Sequence, residues 1–148
     1  MAIFIEAYTA SKKEKDGFKE VTSQISEEDF NNGFCIDKNR MEYLKIYYEK
    51  DKPIAFGMMD RYRETGVGSI LNISLGIIPG HRGQGLGRKI GQDCINFGMK
   101  DKKTVRIYWG AHKDNYKSIN LAKSLGFVYL SEDNKGYVCY MIDKTKSN

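Results

Sequence analysis

Three glycines at alternate positions, Gly83, Gly85 and Gly87, stand between Arg82 and Arg88 in the run GHRGQGLGRK. A tight turn needs one glycine, sometimes two. Alternating glycines directly before a helix leave main chain bare of side chains, which is what gripping an oxyanion through backbone N–H groups requires. The helix N-terminus adds about half a positive charge at that point, and Arg82 and Arg88 can add charge at the rim. Two phosphate-loop patterns fail. There is no Gly-x-x-x-x-Gly-Lys-Ser/Thr run, and Ile90 stands where the third glycine of Gly-x-Gly-x-x-Gly belongs. The pattern Arg/Gln-x-x-Gly-x-Gly fits Arg82–Gly87. Taken alone, the run reads equally as a glycine-rich turn without a ligand.

Such a loop needs a strand to deliver it and a helix to follow it. In ILNISLGII, Leu71, Ile73, Leu75 and Ile77 mark one face of a strand that ends before Pro79. Ile90, Cys94, Phe97 and Met99 then recur near helical spacing, predicting a helix from Gly87 to about Lys100. Gly91 and Gly98 weaken it by roughly 1 kcal/mol each against alanine, so its backbone is expected to pack closely on a neighbour. TVRIYWGA predicts a strand with Val105, Ile107 and Trp109 on one face. DNYKSINLAKSLGF predicts a helix capped by Asp114, striped by Ile119, Ala122 and Leu125, and ended by a left-handed Gly126.

The rest supplies further strands. AIFIEAY alternates as a half-buried strand, and residues 11–40 read as short helices and loop. MEYLKIYYEK and PIAFGMMDRY read as a hairpin joined by DKP, RETGVGS as a turn, and FVYLSED with GYVCYMID as a hairpin turned at NK. The strand–helix–strand unit around residues 70–109 is expected to be a right-handed parallel crossover. Antiparallel hairpins around one parallel pair predict a mixed α/β sheet.

Composition sets bounds. The 148 residues suit one domain, 1–148, with 41% hydrophobic and 29% charged residues. No run of about 18 apolar residues predicts a membrane span, and the N-terminus lacks the features of a signal peptide. Cys35, Cys94 and Cys139 are odd in number and far apart, which points to a reducing, cytoplasmic setting. No Cys-x-x-Cys or His-x-x-x-His pair suggests a metal. The net charge of +5 suits a polyanionic partner or an ordinary basic surface. Only charge and scattered tyrosines would argue for nucleic acid.

Two segments together carry a resemblance. The apolar strand ending in Ile77, then Pro79 and RGQGLG, resembles the cofactor-binding segment of the GNAT superfamily of N-acetyltransferases. NYKSINLAKSLGF resembles that family's second segment, an asparagine after a strand and a helix ending in Leu-Gly-Phe. The likeness is closest over residues 71–127. It implies a GNAT-like, mostly antiparallel sheet with flanking helices, in which one parallel strand pair splays into a V. It also implies acetyl-CoA as cosubstrate, with no metal. The main chain of Leu75, Gly76 and Ile77 would run along the pantetheine arm. Arg82, Gly83, Gln84, Gly85, Leu86, Gly87 and Arg88 would surround the diphosphate. Asn115 would hydrogen-bond the pantetheine, although it also reads as a helix-start residue.

The resemblance fails where acid and base are expected. The family's frequent tyrosine, four residues before the helix-ending glycine, is Ala122, and its frequent glutamate, five residues before the asparagine, is Gly110. His112 at the end of the same strand is a substitute base, or a surface loop histidine. Tyr108 alternates onto the side of Gly110 and His112 and could line an acceptor pocket, or sit in the core. The implied reaction is acetyl transfer to a primary amine, on a small molecule or a protein, by direct attack. The alternative is a catalytically weak CoA-binding module acting as sensor or scaffold. Dimers are common among proteins of this resemblance, and the sequence leaves a homodimer open.

Overall fold

The computed structural model describes residues 11–25 and 41–146, and excludes the side chains of 62–65 and 146. The expected strand AIFIEAY and the loop reading of residues 26–40 lie outside the described residues. Helix α1 spans Lys12–Ser23 and starts in a capping box: the Glu14 amide donates to Ser11 Oγ at 3.1 Å, and the Ser11 amide donates to Glu14 Oε1 at 3.0 Å. It buries Phe18 and Val21, with the Phe18 ring 4.8 Å from that of Phe56.

Strands β1 (Met41–Glu49) and β2 (Lys52–Thr65) form an antiparallel hairpin. The turn is Lys50–Asp51, both left-handed at φ 49° and 66°, the geometry of a two-residue hairpin that follows strand twist. Pro53 therefore lies inside β2 rather than in the turn, opposite Tyr48 beside a register shift, where its missing N–H disturbs an already irregular ladder. Strand β3 (Gly68–Ile77) returns antiparallel after only Gly66 and Val67. Helix α2 (Leu86–Lys100), strand β4 (Thr104–His112) and helix α3 (Tyr116–Ser124) follow, and β5 (Val128–Glu132) with β6 (Tyr137–Asp143) closes the chain. That last turn occupies residues 133–136, with Gly136 at φ 89°, and is wider than the expected NK.

The sheet runs β1-β2-β3-β4-β6-β5, and β3–β4 is its parallel pair. Phe56 and Gly57 are adjacent on β2 and so face opposite sides. Phe56 meets α1, whereas a Cβ at Gly57 would lie 2.5 Å from Ile90 Cγ2 of α2. One helix thus covers one face and α2 the other. The glycines of α2 mark where it presses closest. A Cβ at Gly91 would meet Leu125 Cδ1 at 2.6 Å, and one at Gly98 would meet Ile107 Cδ1 at 2.7 Å. Ile90, Cys94 and Ile95 form the buried face, while Met99 is 44% exposed, because a hundred degrees per residue carries it off the stripe. Lys144 Nζ closes the far end of α2, donating to the carbonyls of Gly98 (2.9 Å) and Asp101 (2.8 Å). These are C-terminal carbonyls that no helical amide reaches.

Ile90 Cγ2 hangs directly on Cβ and cannot swing aside. Gly57→Ala is therefore expected to destabilise the protein by about 1–3 kcal/mol, read as a lower thermal midpoint. Adding Ile90→Ala is expected to cost less than the two single changes summed, since the cavity admits the new methyl.

Candidate functional site: a split between two parallel strands

The β3–β4 ladder runs from Ser69↔Thr104 to Ile73↔Trp109 and stops. Each strand nevertheless continues on its other side, β3 to Ala55↔Ile77 against β2 and β4 to His112↔Tyr137 against β6. From Ser74 and from Gly110 onward, two facing strand edges have no strand between them. Four residues of β3 give an open edge about 13 Å long at about 3.3 Å per residue.

A cavity of about 530 Å³ occupies this split. Leu75, Gly76 and Ile77 form its β3 wall, Trp109, Gly110 and His112 its β4 wall, and Asn115, Ser118 and Leu121 of α3 its side. Arg82 and Gly87 line it at the loop end, and Ile25 from beyond α1. Of the residues expected to meet a cofactor, Leu75, Gly76, Ile77, Arg82, Gly87 and Asn115 thus line one cavity. Gly83, Gln84, Gly85, Leu86 and Arg88 make the adjoining loop and first helical turn.

Loop geometry follows from its glycines. Gly83 and Gly85 are left-handed at φ 79° and 80°, and a Cβ on either would meet nothing within 4 Å. The chain needs glycine there for conformation, and the space beside it is open. Gly87 is different: it is helical, and a Cβ would sit 3.1 Å from Leu121 Cδ2, so it lets α3 approach. Gly85 caps α2 without a side chain, and the amides of Leu86, Gly87 and Arg88 find no acceptor within the described chain. Arg82 turns inward and its Nε donates to the Ile77 carbonyl at 2.8 Å, tying the loop to the end of β3.

Asn115, not Asp114, caps α3: its Oδ1 accepts from the Ser118 amide at 3.2 Å. The Asp114 amide instead donates to His112 Nδ1 at 3.2 Å, with Asp114 Oδ2 3.5 Å from the same nitrogen. The other edge of the imidazole faces Gly136, and its ring stands edge-on to Tyr137, 5.2 Å between centroids. Tyr108 shares the strand face of Gly110 and His112 but is not in the cavity wall; it hydrogen-bonds Arg106, level with Asn72 and Met141. Ala122 is fully buried, and Gly110 is exposed, its nearest neighbour a carbonyl 4.0 Å from where a Cβ would be. Sequence reading did not nominate Ser118, whose signal was its place three residues after Asn115 on one helix face. Its Oγ accepts from Trp109 Nε1 at 2.9 Å.

A split parallel pair with a glycine loop and helix N-terminus at its mouth offers room between strands for an anion-headed, extended ligand. The sequence matches the profile of the Acetyltransferase (GNAT) family over residues 3–127. The chain belongs to that family. Solved structures share the fold. The GNAT domain of S. lividans PAT superposes with a TM-score of 0.66 at 15% identity, covering 86% of this chain and 85% of its own. The yncA protein of Salmonella typhimurium, solved with its cofactor acetyl-CoA, gives 0.62 at 20% identity, with 70% of this chain covered; the chain spans 65% of that neighbour's length. Aminoglycoside acetyltransferase AAC(6')-Ib, solved with coenzyme A and kanamycin, gives 0.58 at 16%, covering 69% of this chain and 66% of its own. A search of curated proteins finds no match. Among the described residues no helix is long and apolar enough to cross a membrane, and no cluster of His, Cys, Asp or Glu could hold a metal ion.

Cys139 pairs with Gly110 across the β4–β6 ladder, so a thiol stands near the open edge. Burial pushes it up to about 11, and pushes Cys94, inside α2, up to about 12. At pH 8 a thiol of pKa about 11 is about one part in a thousand thiolate. Iodoacetamide at that pH is expected to leave Cys94 and Cys139 of the native protein unalkylated over the time in which free cysteine reacts fully, measured by peptide mass spectrometry.

Proposed function

We propose that the protein moves an acetyl group from acetyl-CoA to a primary amine by direct attack. One observation carries this: the parallel ladder stops at Ile73↔Trp109 while both flanking ladders run on. The residues fit the coenzyme. Bare amides at Leu86–Arg88, and the open space beside Gly83 and Gly85, suit a diphosphate. The open edge of Leu75–Ile77 suits an extended arm bearing amides, as a strand edge accepts an added strand. Acetyl-CoA supplies a carbonyl already activated by its thiol leaving group.

The chain's own part is to hold and to manage protons. The split holds the reacting groups together, which alone removes several kcal/mol of barrier. His112 is the proposed proton acceptor for the attacking amine. Nδ1 carries the one basic lone pair of the neutral ring, so it releases the Asp114 amide as it takes the proton, and the Asp114 carboxylate 3.5 Å away then pairs the imidazolium. Tyr108 and Arg106 then shape the amine's approach rather than its chemistry. The amine enters on the side of the sheet that carries Gly110 and His112, and its identity is set by that side. The likeness to an aminoglycoside acetyltransferase is one of fold.

Three measurements test this. CoA is expected to raise the thermal midpoint of the wild type. Gly85→Glu is expected to fold, at a cost of about 1–2 kcal/mol for a side chain in left-handed backbone, and to lose that shift. Acetyl-CoA with an amine panel is expected to release thiol, with His112→Gln lowering kcat 10–100-fold at unchanged CoA affinity. Tight CoA binding with no turnover on any amine would make the protein a coenzyme-holding module instead. Asn115→Asp separates the two uses of that residue: it keeps the cap and the thermal midpoint, and is expected to weaken CoA binding about tenfold through loss of the Nδ2 donor.

A further inference from the structure

We infer that Ser118, aimed by Trp109, is the hydrogen-bond donor that stabilises the departing thiolate; this rests on the acetyl-CoA reading above. Ser118 is the one hydroxyl among the described residues of the cavity wall. Its oxygen already accepts from the indole N–H of Trp109 at 2.9 Å, and Trp109 is only 4% exposed, so this contact is sheltered from water. An oxygen that accepts from one side has its own proton left to give on the other.

That proton is not spent on the helix. Thr22, Ser23 and Ser124 each donate to the carbonyl three residues earlier, as helical hydroxyls commonly do. No such bond holds Ser118 among the described contacts; its partners are the indole and, through its amide, Asn115. Trp109 is also the last residue of β4 paired to β3, so the hydroxyl is tied to the residue at which the split begins. Ile73, Leu75 and Leu121 are the apolar part of the same wall, and Lys117 adds a cation beside Ser118 that favours a developing negative charge.

The step balances without a protein acid. As the amine nitrogen bonds the carbonyl carbon, the carbon–sulfur bond breaks and its electron pair stays on sulfur. The proton lost by nitrogen goes to His112. Ser118 donates a hydrogen bond to the sulfur and keeps its proton. A thiol of pKa about 8.5 can leave as thiolate, so a hydrogen bond to it is sufficient where Ala122 offers nothing.

The first test needs no acceptor amine: titration of the thiol of bound CoA, followed by thiolate absorbance. In the wild type it is expected to titrate about one pH unit below its value in Ser118→Ala, a tenfold change in equilibrium. Ser118→Thr is expected to keep the wild-type value, and Trp109→Phe to lose part of it. CoA affinity at pH 7 is expected to change less than threefold in Ser118→Ala, whereas kcat falls 10–100-fold. A bound thiol that titrates alike in wild type and Ser118→Ala overturns the inference, as does a lost affinity with unchanged kcat. Wild type that binds no CoA overturns the coenzyme reading, and this inference with it. Near-ultraviolet circular dichroism confirms that each variant is folded.

Discussion

Two strands with matching unpaired edges would close on each other unless something held them apart, and the whole site depends on that closure being prevented above Ile73 and Trp109. Each strand is fastened on its far side. The β2 ladder holds β3 through Ile77, and the Ile78 amide continues it by donating to the Ile54 carbonyl at 3.0 Å. The β6 ladder holds β4 through His112, and the Lys113 amide continues it to the Gly136 carbonyl at 2.8 Å. Open edges in a dry core would be costly, because a buried peptide group without a partner forfeits about a hydrogen bond. Here they border a cavity that water or a ligand can enter, so the split is tolerated in the free protein and is a place where an extended ligand can pair.

The glycines divide by what they do, and the division maps the site. Gly57, Gly91 and Gly98 carry no ligand function. They let α2 lie against β2, β4 and the end of α3 with no Cβ between, which sets the depth at which α2 begins. Gly83 and Gly85 bend the approach to α2 in left-handed conformation, with open space beside them. Gly87 belongs to both groups, since it is in the first turn of α2 and receives Leu121 of α3. The direction of the α2 N-terminus is therefore fixed by packing in the core, far from anything it would bind.

Much of this was legible in the sequence, because it rests on local patterns. Alternating Leu71, Ile73, Leu75 and Ile77, the glycine run and the Asn115 to Gly126 helix are the strand, loop and helix that border the cavity, apart from the cap. Asp114 and Asn115 are both good caps, and the choice between them depends on where β4 ends: at His112, whose ring takes the Asp114 amide. The hairpin turn was displaced because Lys50 and Asp51 adopt left-handed backbone without glycine, a conformation that residue type alone argues against. The start of α1 did have a signal, Ser11 and Glu14 three apart, in a stretch read only as irregular helix and loop. Met99 was assigned to the buried face by apolarity, and helix phase overruled it. Tyr108 alternates as expected, yet strand alternation says nothing about how far a cavity extends, and its hydroxyl partners Arg106.

Four polar groups around the split share one property that neither sequence pattern nor cavity shape reveals: each is already held by the chain itself. Asn115 Oδ1 serves the helix cap, Ser118 Oγ receives the indole, His112 Nδ1 receives the Asp114 amide, and Arg82 Nε is fixed to Ile77. Each of those bonds uses one function of a side chain that has more than one. The Asn115 amide nitrogen and the Ser118 proton are therefore positioned by folding, before any ligand arrives. A side chain ordered on binding costs about 0.5–1.5 kcal/mol, and one ordered by its own fold has met that cost already. Donors fixed in advance are also what electrostatic stabilisation of a developing charge requires, since they need no reorientation when the charge forms. Stability and function at this site are for that reason hard to separate by deletion: alanine at 115 or 118 removes a structural bond together with the donor. Substitutions that keep the structural half, aspartate at 115 and threonine at 118, divide the two.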